Sequence, residues 1–124
     1  MSQNPKNFWL MVGALLGGLS VAMGAFGAHA LEDVLTPHYR EVYGTASRYA
    51  MIHAVLLSGL SLCRTPTPKY IMWFFTLGIC IFSGTLWLLS ITQIKWLGAI
   101  TPIGGLLLLL GWGGLFWWGK NGCA

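Results

Sequence analysis

The sequence predicts an all-α integral membrane protein, a bundle of four transmembrane helices that forms a single domain over residues 1–124. Two observations lead to this fold class. The chain is 56% hydrophobic and only 8% charged, whereas a soluble domain carries about 25% charged residues. Long stretches without charge or histidine recur along the chain, and about 20 apolar residues are enough for a helix to cross a bilayer.

The same composition excludes several classes of function. Seven basic and three acidic side chains are too few to cover the surface of a soluble enzyme of this size. The net charge of +4 is not gathered into a Lys/Arg cluster that could follow phosphates, so no nucleic-acid partner is predicted. The three cysteines are scattered and odd in number, which favours neither a disulfide framework nor a CxxC metal site.

The first span is predicted at Phe8–Ala28, which are 21 residues with neither charge nor histidine. Lys6 and the Ala28-His29-Ala30 sequence resemble the two ends of a signal peptide. The apolar run is longer than the roughly 7–15 residues usual in the hydrophobic region of such peptides. We therefore expect a retained span.

The second span, predicted at Tyr39–Cys63, is the least apolar of the four. Thr36-Pro37 is typical of a helix start, with threonine at the N-cap and proline at the first helical position. No helix breaker follows until Pro66. Because the first half of this helix is polar and the second half apolar, we expect its N-terminal turns to lie in the membrane interface or above it.

The third and fourth spans are predicted at Tyr70–Thr92 and Leu97–Trp118. They lie in stretches of 25 and 24 residues without charge or histidine, Tyr70–Ile94 and Trp96–Gly119. Two prolines in the connection 64–69 separate the third span from the second, since proline stops a helix.

Both termini are predicted on the cytoplasmic side of the bacterial inner membrane. Lysine and arginine near the span ends set the orientation of a membrane protein. Four basic residues fall on the side of the termini, and none of the three acidic residues accompanies them. These four are Lys6, Arg64, Lys69 and Lys120, against Arg40, Arg48 and Lys95 on the opposite side.

Small residues recur at helical spacing in the first span and gather in the third and fourth. In lipid, helices associate by close packing, so small residues that allow their backbones to approach mark helix contacts. The contacts could be seams inside one bundle or the interface of a homo-oligomer, and both remain open. The predicted helix-packing residues are Gly13, Gly17, Gly24, Gly27, Ser83, Gly84, Thr101, Gly104 and Gly105.

Five ionisable residues form a candidate polar cluster: His29, Glu32, Asp33, Arg48 and His53. Ionisable groups at membrane depth are costly and usually face protein or water, so they are functional candidates. Three interpretations are open: a metal site, a path for protons or a solute, and a set of structural ties. In the last case His53 bonds to a neighbouring helix, and Arg48 pairs with Glu32 or Asp33, because a guanidinium holds a carboxylate bidentately.

The alternative for Arg48 is that its side chain reaches lipid headgroup phosphates. The chain contains no metalloprotease-type H-E-x-x-H pattern, and no Ser/His/Asp or Cys/His arrangement typical of a nucleophilic enzyme stands out. No catalytic residue, metal ligand or cofactor is therefore predicted.

Four motifs in order resemble the domain-of-unknown-function family 423. They are GAFGAHAL at 24–31, RYAMIHA at 48–54, FSGTLWLL at 82–89, and ITPIGG at 100–105 followed by GW at 111–112. Together they cover nearly the whole chain. The chain departs from the family pattern at Ala30, where glycine is usual, and at Trp87, where tyrosine is common.

The resemblance implies a small four-helix protein of the bacterial inner membrane whose molecular function has not been established. With the residue pattern, it predicts a non-enzymatic accessory or structural protein. The expected partners are membrane lipids and a homo-oligomer or larger membrane complex. The alternative is a small transporter, channel or ligand-binding module that uses the polar cluster.

Overall fold

The structure, a computed structural model, describes residues 5–121, with side chains from Asn7 onward. These residues form four α-helices and no strand. The helices are α1 (Pro5–His29), α2 (Pro37–Ser61), α3 (Lys69–Thr92) and α4 (Leu97–Lys120). Each begins and ends within three residues of the predicted span, which confirms the all-α four-helix fold.

Local sequence explains where the helices begin and end. The Thr36 side chain caps α2 by accepting from the Tyr39 backbone N–H at 3.3 Å, and Pro37 is the first helical residue. In the connection between α3 and α4, Gln93 ends α3 with a left-handed φ of 58°. Its N–H closes on the Leu89 carbonyl at 2.7 Å, so a four-residue connection suffices before α4.

The helices run up and down in sequence order. Helix α1 packs on α2, α2 on α3, and α3 on α4. Helices α2 and α3 therefore form the centre, with α1 and α4 on the outside. The most enclosed apolar side chains come from the central pair: Ala46, Ala50, Ala54, Leu57, Ile71, Met72, Phe75 and Ile79.

The outward surfaces suit a lipid environment. Helices α1, α3 and α4 are long and apolar enough to cross a membrane. Large side chains on the outer helices are mostly exposed, including Leu15 at 73% and Phe116 at 75%, far more apolar surface than a soluble monomer presents. Helix α2 carries more polar residues and lies between α1 and α3. We expect it to cross with them, because the neighbouring helices cover much of its surface.

Candidate functional site

The five residues of the predicted polar cluster do not come together. Gly27 of α1 faces the Tyr43 ring of α2, so the end of α1 is level with the first turns of α2. His53 lies ten residues beyond Tyr43 on α2, which places it about 15 Å deeper along the helix axis. The ionisable residues of the α1–α2 connection are therefore remote from His53.

The α1–α2 connection is held by apolar side chains. Leu31 and Leu35 are buried, whereas the ionisable side chains beside them, His29, Glu32 and Asp33, are exposed. None of these three side chains forms a hydrogen bond or ion pair within the described part of the chain. The connection thus needs no salt bridge to keep its place.

Arg48 is bonded within its own helix. One of its Nη atoms donates to Thr45 Oγ1 at 3.2 Å, and no ion pair joins it to Glu32 or Asp33 among residues 5–121. This corrects the predicted pairing with one of those carboxylates. The Thr45 hydroxyl, one turn earlier on α2, lies within reach of the guanidinium, whereas Glu32 and Asp33 are exposed in the α1–α2 connection.

His53 is the one ionisable member of the cluster that the bundle encloses, with 4% of its surface exposed. Its Nε2 accepts from the Trp112 indole N–H of α4 at 3.0 Å. Its Nδ1 lies 2.7 Å from the Tyr49 carbonyl oxygen one turn back on α2. Since Nε2 accepts and the carbonyl can only accept, the proton lies on Nδ1, and the ring is held in one neutral tautomer.

Aromatic rings surround the His53 imidazole. Ring centroids of Phe75 and Trp112 lie 5.7 and 5.8 Å away, and that of Tyr49 lies at 6.2 Å. Both ring nitrogens are occupied, so neither has a lone pair or a proton available for chemistry. Among the described residues, no three His, Cys, Asp or Glu side chains gather where they could hold a metal ion.

The central seam of the bundle contains two further hydrogen bonds between α3 and α2. Ser83 Oγ, fully buried, donates to the Ala46 carbonyl at 2.7 Å. One turn further along α3, the Trp87 indole N–H donates to Ser47 Oγ at 3.1 Å. The two bonds fix the register of α3 against α2, because each needs one particular residue opposite it.

The outer helices are tied in the same manner. The Tyr43 hydroxyl donates to the Met23 carbonyl of α1. Thr85 of α3 and Thr101 of α4 join their hydroxyls at 2.7 Å. Every adjacent helix pair thus shares at least one side-chain hydrogen bond, which is a usual means of holding membrane helices together.

Three of the predicted packing glycines lie where the bundle leaves no room for a side chain. A Cβ added at Gly13 would overlap Ser58, and one at Gly27 would overlap the Tyr43 ring. At Gly104 it would overlap the backbone of Phe82 on α3. These three glycines therefore lie in helix contacts within one chain and not in the interface of an oligomer.

The remaining small residues divide into three groups. Gly17 and Gly105 make ordinary contacts, each with its added Cβ 3.7 Å from the nearest neighbouring atom. Ser83 and Thr101 provide the interhelical hydrogen bonds described above. Gly24 and Gly84 meet no atom within 4 Å of an added Cβ, so neither position forms a close helix contact.

Further close contacts between α3 and α4 lie at glycines outside the predicted helix-packing set. Gly78 makes room for Leu108, and Gly111 makes room for the Phe75 ring. Thr101, Gly104, Leu108 and Gly111 are all buried and are spaced 3-4-3 along α4, the pattern of a coiled-coil seam. A search for heptad spacing would have found Gly111, whereas a search for every fourth residue does not.

A cleft of about 360 Å³ opens between the end of α1 and the first half of α2. Two arginines, Arg40 and Arg48, stand on the same face of α2 with Gly44 between them, because residues four apart share a helix face. The spacing of Arg40, Gly44 and Arg48 at i, i+4 and i+8 could have indicated this cleft in the sequence. There, however, Arg40 entered only the prediction of the membrane orientation. The cleft is lined by Gly24, Gly27, Ala28, Leu35, Arg40, Tyr43, Gly44, Ser47 and Arg48.

Comparisons with known proteins agree with the motifs. The model of a family described as "Protein of unknown function (DUF423)" matches residues 23–105. A UPF0382 membrane protein of Staphylococcus haemolyticus is 42% identical over 107 residues, covering 84% of this chain and 88% of that protein. The UPF0382 membrane protein YwdK of Bacillus subtilis is 39% identical over 114 residues, covering 84% and 89%. No solved structure matches the chain.

Proposed function

The chain belongs to the DUF423 family of membrane proteins of unknown function, and from this premise we propose that it is a non-enzymatic accessory protein of the bacterial inner membrane. In this role the folded bundle joins a homo-oligomer or a larger membrane complex and performs no chemistry of its own. The observation that carries the proposal is the closure of His53 by Tyr49 and Trp112.

A transporter or channel would use its buried ionisable groups differently. Such groups face a water-filled cavity and exchange protons or ligands there. The His53 ring is enclosed by aromatic rings and both its nitrogens are bonded, while Glu32 and Asp33 lie in an exposed connection. This arrangement supports a structural role for the histidine and gives no support to a conduction path.

The packing of α1 restricts where a partner could bind. Gly13 and Gly17 face α2, so these two glycines are occupied inside the chain. A partner helix would therefore have to use other exposed apolar surface, such as the outward faces of α1 and α4. Both faces consist of large apolar side chains, such as Leu15 and Phe116, which suit contact with lipid or with another transmembrane helix.

The orientation belongs to the same proposal. Arg64 and Lys69 lie in or beside the α2–α3 connection, at the end of the bundle where α1 begins and α4 ends. Lys120 lies in the last turn of α4 at that end. Basic residues are retained on the cytoplasmic side, which supports cytoplasmic termini.

The proposal is tested by measuring which proteins are extracted together with this chain from the membrane, and in what ratio. A tagged chain expressed from its own locus is extracted with its surrounding lipid in polymer-bounded discs, and the protein content is measured by native mass spectrometry. We expect a fixed ratio of the chain to a second copy or to another membrane protein. The His53→Leu variant should retain that ratio, because His53 faces the interior of the bundle.

A flux assay separates this role from transport. Liposomes that contain the purified protein should keep an imposed pH gradient as long as protein-free liposomes do. A single chain surrounded only by lipid, together with a proton leak that disappears in His53→Leu, would contradict the accessory role and favour a transporter.

A further inference from the structure

We propose that the cleft between α1 and α2 binds the headgroup of an anionic phospholipid, with Arg40 and Arg48 contacting the lipid phosphate. This site is separate from the accessory role and does not depend on it. Its volume of about 360 Å³ is sufficient for a headgroup while the acyl chains remain outside the protein.

The positive charge of the cleft is not compensated by a group in its lining, although Glu32, Asp33 and Glu41 lie at the same end of the bundle. No carboxylate lines the cleft, and neither arginine forms an ion pair within residues 5–121. The C-terminal end of α1 contributes a partial charge of only about −0.5, against two full positive charges. An anion would therefore be attracted to this position.

The guanidinium of Arg48 is already directed into the cleft. It lies over Gly44, since a Cβ added there would be 3.2 Å from Nη1, and the other Nη bonds to Thr45. This brings it toward Arg40, on the side of the α1–α2 connection. A guanidinium has five N–H donors, so several remain for phosphate oxygens, which arginine binds bidentately.

The remaining walls of the cleft favour a lipid over a free anion. Ala28 and Leu35 are apolar, and Gly24 and Gly27 expose only backbone. The cleft lies near the end of a transmembrane helix, where the second helix changes from polar to apolar. Lipid phosphates lie at this level of a bilayer, and acyl chains could continue along the exposed apolar surface of α1.

The test compares two lipids with the same acyl chains. The purified full-length protein is titrated with dioleoyl phosphatidylglycerol and with dioleoyl phosphatidylcholine, and binding is measured by native mass spectrometry. A basic residue near a membrane surface contributes about 1 kcal/mol toward an anionic lipid, which is about a fivefold change in affinity. We expect a preference for phosphatidylglycerol that falls about fivefold in Arg40→Gln or Arg48→Gln and disappears in the double variant.

Two matched controls separate a site from general surface charge. Lys95 is exposed in the α3–α4 connection, at the same end of the bundle but outside the cleft, so Lys95→Gln should keep the preference. Gly24 lines the cleft and has open space around it, as Gly18 has on the outer face of α1. Gly24→Leu should weaken binding of phosphatidylglycerol by filling the cleft without a change of charge, and Gly18→Leu should not.

Three results would overturn the proposal. One is an equal affinity of the unmodified protein for both lipids. Another is a loss in Lys95→Gln as large as in Arg48→Gln, which would indicate general electrostatic attraction. The third is displacement of phosphatidylglycerol by an equal concentration of inorganic phosphate, which would indicate a site for free anions. Thermal unfolding of each variant identifies any that fail to fold, and the Gly24→Leu and Gly18→Leu pair tests the site without altering either arginine.

Discussion

Trp112→Phe removes the indole N–H that bonds to His53 and preserves an aromatic ring in the same position. His53 is 4% exposed, so its Nε2 would be left without a partner inside the bundle. An unsatisfied buried group costs about 1–3 kcal/mol in a soluble protein, but interhelical hydrogen bonds in membranes average about 0.6 and reach about 1.7 kcal/mol. Since the Trp112 side chain is 43% exposed, we expect a loss of about 1 kcal/mol in the free energy of unfolding.

The assay is reversible unfolding in mixed micelles, followed by circular dichroism, for Trp112→Phe, His53→Leu and the double variant. The double variant should lose less than the sum of the single losses, with a coupling energy of about 0.6–1.7 kcal/mol. Trp117→Phe is the control, because Trp117 is on the same helix and 60% exposed. Losses that add within about 0.3–0.5 kcal/mol would refute the hydrogen bond between His53 and Trp112.

The other stability predictions concern the helix seams, and the same unfolding assay checks them. Gly104→Ala should destabilise the bundle by about 1–3 kcal/mol, because its Cβ meets the backbone of α3. Gly113→Ala, in open space on the same helix, should be neutral or stabilise by up to about 1 kcal/mol; equal effects at the two positions would contradict the packing. Gly27→Ala should destabilise by displacing the Tyr43 ring, and a result no worse than that of Gly24→Ala would show that this contact is absent.

The helices could be predicted because the membrane imposes a simple rule on the sequence. A charge within a span is costly, so stretches without charge reveal the spans directly. The start of α2 needed a second signal, since charges extend into it. Thr36 and Pro37 supplied that signal through N-cap chemistry, and the helix indeed begins there.

The surroundings of the five residues in the predicted polar cluster could not be predicted, because proximity in sequence does not fix which face of a helix a residue occupies. Gly17 of α1 contacts Ala54. His53 is one residue earlier, so it points about 100° away from α1, toward α3 and α4. Its partner Trp112 is 59 residues distant in the chain, and nothing in the local pattern indicates that pairing.

Arg48 shows how a local contact replaces a distant one. A carboxylate is the stronger partner for a guanidinium, but Glu32 and Asp33 lie in an exposed turn. Thr45, one turn earlier on α2, lies within reach of the guanidinium and accepts its hydrogen bond instead. The hydroxyl therefore orients the arginine, and most of its donors remain available to a ligand.

The motifs that carry the family resemblance supply contacts between helices of the bundle. His53 of the second motif bonds to Trp112 of the fourth, and Thr85 of the third motif bonds to Thr101 of the fourth. Ser83, also of the third motif, bonds to the Ala46 carbonyl of α2. Gly27 of the first motif makes room for Tyr43. Residues of all four motifs thus lie at the helix seams.

The most direct test of the four-span bundle is the position of the two ends of α2 relative to the membrane. In a variant with Cys63, Cys80 and Cys123 replaced by alanine, single cysteines are introduced as Val34→Cys or Pro66→Cys, both at exposed positions in the connections that flank α2. Intact spheroplasts are then treated with a thiol reagent that cannot cross the membrane. If α2 crosses with the other three helices and the termini are cytoplasmic, Val34→Cys is labelled and Pro66→Cys is labelled only after lysis. Equal labelling of both positions in intact spheroplasts would place the two ends of α2 on one side and contradict the bundle.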